Sequence, residues 1–269
     1  MEKENLLFFR SWFFDYVKKF YSDDFNVQRN IKLKEEHTLR VCENIILIGK
    51  SINLDETKLF IAESVALFHD IGRFKQFKKY ATFDDRKSEN HAALGVKILE
   101  DSGVLSCLPT SEQELILKSV EFHNLQKVPA NLKPDILLFL KLLRDADKLD
   151  IFGVITEYYA EKDKNPNPAL ELELSDAPTY SHEFIEDILN YRVSKNNLNT
   201  HNDMKLFQLT WLFDINFPAT FKYFKDKNYL EKIIKSLPDD ENIRRVHEHL
   251  KKYLNEKQPS EQNKRLVYT

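Results

Sequence analysis

Residues 66–73 read Ala66-Leu67-Phe68-His69-Asp70-Ile71-Gly72-Arg73. In this stretch an apolar run leads into an adjacent His-Asp pair, and a glycine follows soon after. Imidazole and carboxylate groups are both good ligands for divalent first-row metals. Neighbouring residues can serve one site only where the backbone turns, and we expect Gly72 to provide a turn or a helix stop. The stretch therefore predicts part of a metal site, provided that the rest of the chain supplies further ligands.

The composition favours helices joined by short loops. The chain has 269 residues, which is enough for one large domain or for a domain plus an extension. It contains only 5 glycines, whereas an average usage of about 7% would give about four times as many. No internal repeat and no convincing strand pattern is found. We therefore predict an all-α fold.

Charge and cysteine usage indicate which environments to expect. The net charge is −3, so bulk charge gives no reason to expect binding to a nucleic acid duplex or to acidic lipid. Cys42 and Cys107 form neither a spaced ligand motif nor a disulfide framework, which favours a reducing, cytoplasmic location. The N-terminus does not resemble a signal peptide, and no apolar run approaches the roughly 20 residues that span a bilayer. The oligomeric state stays open at this stage.

Ligand-type residues recur on the apolar faces of successive predicted helices. His37 begins an apolar stripe at helical spacing, and His123 ends another. His91 sits in the first turn of its predicted helix, where Gly95 would let a second helix approach closely. Asp145 and Asp147 each lie on an apolar stripe, so periodicity does not choose between them. Because ligands in helical bundles project inward from facing helices, this pattern predicts a metal in the bundle interior.

The alternative interpretation is that these histidines are ordinary core residues. A single histidine on an apolar helix face is more often hydrogen-bonded than metal-bound. We apply that interpretation to four later histidines that sit among polar residues, His182, His201, His247 and His249. For the earlier set it would require every histidine to face inward by coincidence. It would also leave buried carboxylates without a cation, at a cost of several kcal/mol each.

His37, His69-Asp70 and Asp147 together resemble the ligand motif of the HD-domain superfamily of metal-dependent phosphohydrolases. The strings His69-Asp70-Ile71-Gly72-Arg73 and Ala146-Asp147-Lys148-Leu149 are similar to the signatures of that superfamily. The resemblance covers roughly residues 30–160. It implies an HD-domain-like helical bundle, which we expect over residues 1–160. We expect a helical C-terminal extension over residues 161–269, packed on the same domain.

The resemblance also implies a ligand set. One divalent metal would be bound by four residues, His37, His69, Asp70 and Asp147. His91 and His123 match the positions that bind a second metal in the dinuclear branch of the superfamily, with Asp70 as the bridge. The motif selects Asp147 as the ligand, which leaves Asp145 as a partner of a ligand or as a surface charge. Nitrogen and oxygen ligands suit Mn, Fe, Co, Ni or Zn, as one ion or two.

The activity implied by the resemblance is hydrolysis of a phosphate ester, and the expected substrate is a small phosphorylated molecule, with nucleotides as the first class to consider. The expected catalytic residues are Asp70 and Arg73, whose planar guanidinium would contact a phosphate. The chain lacks the Gly-Tyr-Pro element of HD-GYP enzymes, which argues against cleavage of cyclic dinucleotides. Two alternatives stay open: a di-iron oxygenase similar to inositol oxygenase, and a non-catalytic, metal-stabilised sensor or binding module.

The segment from Arg73 to Asn90 has no clean period and is predicted to be a loop or a short irregular segment. Aromatic and cationic residues alternate in it. They would suit a wall for a nucleobase and its phosphate, or equally packing against the C-terminal helices.

Overall fold

A computed structural model describes residues 1–162, 164, 166–193 and 198–257. Within these residues the chain forms thirteen α-helices and two 3-10 helices, and the one β-bridge is an isolated pair between Ser175 and Thr200. The prediction of an all-α fold is confirmed. In the same described residues, no helix is long and apolar enough to cross a membrane.

The chain divides into two compact units. The first comprises Met1–Asp150 and Pro168–Leu172, and the second comprises Ile151–Asn167 and Glu173–Thr269. Residues 258–269, the end of the expected C-terminal extension, lie outside the described residues. The division into domains at residue 160 stays a prediction.

The first unit contains the helices that carry the predicted ligands. Its helices are α1 (Lys3–Lys18), α2 (Phe25–Ser51), α3 (Glu56–Phe68), α4 (Ile71–Tyr80), α5 (His91–Ser102), a 3-10 helix (Val104–Cys107), α6 (Thr110–Phe122), the first part of α7 (Pro134–Glu161) and the short α8 (Pro168–Glu171). Helix α7 is one continuous helix of 28 residues.

Helix α1 packs its aromatic stripe inside the first unit. It buries Leu6, Phe9, Phe13 and Val17 at the three- and four-residue spacing of one helix face. The ring of Phe9 meets the edge of Phe68, with 5.3 Å between centroids. The last residue of α3 is therefore held in the core immediately before the His-Asp pair.

Helix α2 confirms its predicted stripe, because Val41, Ile45 and Ile48 are buried together with His37. Helix α7 contributes a second buried stripe that includes Leu140 and Leu143. Asn44 on α2 donates to the main-chain carbonyl of Ala146 on α7 at 3.2 Å. This contact fixes the neighbouring turns of the two helices, which carry His37 and Asp147.

The prediction of a loop after Arg73 is wrong for its first half. Helix α4 occupies Ile71–Tyr80 and ends in a left-handed residue, Ala81. Its period was obscured because the helix buries Phe74, Gln76 and Phe77, while charged residues cover the other side. The ring of Phe74 packs against Phe13 and Tyr16 of α1 and against Phe20 beyond its end, so Phe74 lies in the core and forms no open wall.

Gly72 serves close packing and not the predicted turn. The backbone breaks from helical geometry at Asp70 (φ −104°, ψ 15°), between α3 and α4. Gly72 lies within α4, and a Cβ atom there would be 2.1 Å from the carbonyl oxygen of His91 and 2.8 Å from the amide nitrogen of Gly95. As predicted, Gly95 allows this close approach of α4 to α5.

The second unit has a core of its own. Its remaining helices are α9 (His182–Leu189), α10 (His201–Thr210), a 3-10 helix (Trp211–Asp214), α11 (Pro218–Asp226), α12 (Tyr229–Lys235) and α13 (Glu241–Glu256). Phe152 meets Phe224 edge to face at 4.7 Å. The buried Asp203 carboxylate accepts hydrogen bonds from the amides of Ser181, Asn199 and Thr200, which anchors the start of α10.

We predict that Gly72→Ala destabilises the protein by about 3 kcal/mol or more, because the methyl group meets main-chain atoms that cannot turn away. The measurement is the free energy of unfolding in urea. Gly49→Ala is the matched control, a buried helical glycine whose Cβ would meet side-chain atoms and no main-chain atoms, with Leu59 at 2.9 Å and Leu54 at 3.2 Å. If both variants have similar stabilities, the packing argument is wrong.

Candidate metal centre

The first unit brings together all six residues expected as ligands. The cluster consists of His37 on α2, His69 and Asp70 at the junction of α3 and α4, His91 at the start of α5, His123 at the end of α6 and Asp147 on α7. Five of them are buried, and the Asp147 side chain retains 20% of its exposure. Two overlapping groups of three have the proximity needed to hold an ion: His37, His69 and Asp70, and Asp70, His91 and His123.

The four imidazoles meet in two pairs through their Nε2 atoms. Nε2 of His37 lies 3.3 Å from Nε2 of His69, and Nε2 of His91 lies 3.1 Å from Nε2 of His123. Ligand atoms that share a metal at bond lengths of about 2.1 Å are themselves about 3.0–3.4 Å apart. Both separations therefore suit nitrogen atoms that bind a common ion.

Two of the histidines are oriented by main-chain carbonyl groups. His69 and His123 each directly follow the last residue of a helix, α3 and α6 respectively. Nδ1 of His69 donates to the carbonyl oxygen of Ala66, and Nδ1 of His123 donates to that of Val120, both at 2.7 Å. The free carbonyls of a helix end thus fix the tautomer of each ring.

The other two histidines are oriented by carboxylates that the sequence did not reveal. Nδ1 of His37 lies 2.6 Å from Oδ2 of Asp150, and Nδ1 of His91 lies 2.7 Å from Oδ2 of Asp85. Asp150 is also held by Arg40, whose Nε donates to Oδ1 at 2.6 Å. Metal-binding histidines commonly donate their second N–H to such a carboxylate. The only sequence signal for Asp150 was its position one turn after Asp147.

The orientation of the four histidine rings fits a bound cation. In each ring an acceptor occupies the Nδ1 side, which places the lone pair of Nε2 toward the cluster. Two lone pairs at 3.1 Å repel each other unless a proton or a metal lies between them. For the His91–His123 pair a proton is disfavoured, because burial lowers both pKa values, that of His123 to about 3. The donor set therefore fits a divalent metal.

Asp70 presents one oxygen to each histidine pair. Its Oδ2 lies 3.5 Å from Nε2 of His37, and its Oδ1 lies 3.3 Å from Nε2 of His91. Burial opposes ionisation of this carboxyl, yet Lys34, with further help from His69 and Arg73, holds its pKa well below the ordinary value. Asp70 is therefore an anion in a position to bridge two ions.

Asp147 and Asp145 occupy different environments, although the sequence could not separate them. Oδ1 of Asp147 lies 3.1 Å from Nε2 of His37. Hydrogen bonds to Asp147 and Asp150 raise the pKa of His37 against the opposing effects of burial and Lys34, so a metal would displace a proton from this ring. Asp145 is fully buried, which excludes the interpretation as a surface charge.

Arg73 contacts both the cluster and the segment after α4. Its Nε lies 3.4 Å from Oδ1 of Asp70, and its Nη1 donates to Gln76, to the carbonyl of Phe83 and to Asp85. Asp85 also accepts from Gln76 and from Asn124. Asp85 thus connects Arg73 with His91, so the segment predicted as a loop also positions the site.

We expect a divalent ion to raise the thermal stability of the protein. At a free concentration 100 times the dissociation constant, the gain is about 2.7 kcal/mol. Thermal unfolding of chelator-treated protein, with Mn, Co, Ni, Fe or Zn added back singly, measures the effect. An unchanged midpoint with every ion would contradict the assignment of a metal centre.

We also expect Asp85→Ala and Asp150→Ala to weaken metal binding by about 10- to 100-fold, because each substitution releases one histidine ring. Calorimetric titration of the chelated protein gives the affinity, and elemental analysis gives the number of ions retained. Asp84→Ala is the control for Asp85, since the neighbouring carboxylate accepts a hydrogen bond from Arg86 at 2.7 Å. An equal loss in both variants would point to a disturbed segment and not to a released ring.

Comparison with known proteins agrees with the site. The family model described as HD domain matches residues 35–151, a range that contains all six clustered residues together with Asp85 and Asp150. No curated protein and no solved structure matches the chain. Divalent metal binding is a property of HD domains. The geometry and the family match lead to one conclusion: residues 35–151 form a domain of the HD superfamily.

Proposed function

We propose that this protein is a metal-dependent phosphohydrolase that cleaves a phosphate ester of a small molecule. The observation that carries the proposal is the convergence of four histidine Nε2 atoms and two carboxylates on one site. His37, His69, Asp70 and Asp147 would hold one ion, and Asp70, His91 and His123 would hold a second. When bound, such ions supply a water of lowered pKa and Lewis-acid stabilisation of phosphoryl oxygens.

The protein's own part in this chemistry is to fix orientation and charge. The Nδ1 contacts with two carbonyls and two carboxylates hold the four rings in place. Burial of the ligands excludes bulk water, which strengthens electrostatic interactions within the site. The Nε atom of Arg73 is buried and makes no hydrogen bond within the described residues. Its Nη1 contacts keep the side chain in position beside Asp70, so we propose that Arg73 acts through its positive charge on a substrate oxygen bound at the cluster.

Nucleotides are the first substrate class that we propose to test, on the strength of the family resemblance. Phe74, Phe77 and Phe83 are buried, so their place in the core lends no support to a base-binding wall made of these rings. Several polar side chains at the cluster retain some exposure, among them Asp147 at 20%, Lys34 at 17% and Arg73 at 15%. Because the solvent-accessible side chains at the cluster are polar, they support recognition of the substrate through its phosphate group.

The test is a screen of the protein loaded with Mn or Co against phosphomonoesters, nucleotides and cyclic nucleotides, with phosphate release or loss of substrate as the readout. We expect Asp70→Asn to lower turnover by at least about 100-fold, because the neutral amide removes the charge shared by both histidine pairs. Asp135→Asn changes an exposed aspartate in the first turn of α7 and should have full activity.

Three outcomes would refute the proposal. Activity that survives in Asp70→Asn would place the reaction elsewhere on the chain or in a contaminant. Oxygen uptake by iron-loaded protein, together with no hydrolysis of any phosphate ester, would instead support the oxygenase alternative. Tight binding of phosphate compounds without turnover would support the non-catalytic alternative.

A further inference from the structure

We propose that Lys34 is a second phosphate-binding residue, which receives the substrate on the opposite side of Asp70 from Arg73. This inference rests on the proposed function. The Lys34 ammonium lies 2.8 Å from Oδ2 of Asp70, whereas Nε of Arg73 lies 3.4 Å from Oδ1. Each oxygen of the shared carboxylate therefore has its own cation.

The backbone of Lys34 is fixed by a helix that already carries a ligand. Lys34 lies on α2 three residues before His37, and residues at this spacing share a helix face. Its carbonyl oxygen accepts a hydrogen bond from the hydroxyl of Thr38 at 2.9 Å. The side chain spans from this rigid position to Asp70, with 17% of its surface exposed. Its ammonium group is therefore both held at the cluster and reachable from solvent.

The ammonium of Lys34 retains the capacity to bind an anion. It has three N–H donors, and within the described residues one hydrogen bond is made, to Asp70. The ring of Phe83 lies 5.4 Å from Nζ and offers a cation–π contact, which uses none of the remaining donors. Two N–H groups are thus available to the oxygens of a phosphate.

Other cations near the cluster are engaged differently. Arg40 forms a fork with the carboxylate of Asp150, through Nε at 2.6 Å and Nη2 at 3.2 Å. Nζ of Lys148 lies 3.4 Å from the carbonyl oxygen of Arg144, one turn back on its own helix. Lys34 and Arg73 are the cations whose charged groups contact Asp70 in the described part of the chain.

The test measures phosphate binding in the absence of turnover. Full-length protein loaded with Mn is titrated with inorganic phosphate by calorimetry, and its metal content is determined in parallel. We expect Lys34→Met to weaken phosphate binding by about 10- to 100-fold, the loss typical of a charge-assisted hydrogen bond, with the metal content unchanged. Lys34→Arg should recover part of the affinity, because it restores the positive charge.

Lys32→Met provides the matched control on the same helix. The Lys32 ammonium binds Glu35 and the hydroxyl of Tyr21, and not the cluster, so this variant should bind phosphate as the unmodified protein does. Equal affinity in Lys34→Met would overturn the inference and leave the proposed function standing. Loss of metal in parallel with phosphate would also overturn it, since Lys34 would then only hold Asp70. No phosphate binding by the unmodified, metal-loaded protein would count against the proposed function itself.

Discussion

Four imidazole rings whose Nε2 atoms are turned toward one cluster are the constraint on which this structure depends. In the His91–His123 pair the facing Nε2 lone pairs repel each other, and each of the four rings is prevented from turning away by an acceptor at Nδ1. Two of those acceptors are the carbonyls of helix ends, and two are buried or half-buried carboxylates. The packing of the first unit thus keeps these donor atoms together in an arrangement that suits a cation.

Two close contacts between helices impose this constraint on the histidine rings. Gly72 lets α4 lie against the backbone of α5, and this contact sets the distance from Asp70 to His91. The aromatic face of α1 holds the end of α3, where His69 follows. A substitution at Gly72 or on the aromatic face of α1 would displace the metal-binding side chains although it replaces none of them. The metal centre is therefore a property of the helix packing as much as of the six side chains.

The sequence was sufficient to predict the helical class and the residues of the cluster. His37 and His123 could be found because apolar stripes marked the buried faces of their helices, whereas His69-Asp70 and Asp147 were found through the family motif. Helix α4 was missed, since its buried glutamine and glycine broke the expected apolar period. Asp85, Asp150 and Lys34 were missed for another reason. Their significance depends on which helices become neighbours, and Asp150 meets His37 across 113 residues of chain.

The two histidine pairs share a construction that bears on how the chain folds. In each pair the partners are 32 residues apart, and the helices that carry them, α2 with α3 and α5 with α6, pack directly on each other. Contacts at short sequence separation close small loops and form early. We expect each pair to assemble as a local event during folding, with Asp70 already between them. Helix α7, which brings Asp147 and Asp150 from the far end of the unit, would complete the centre last.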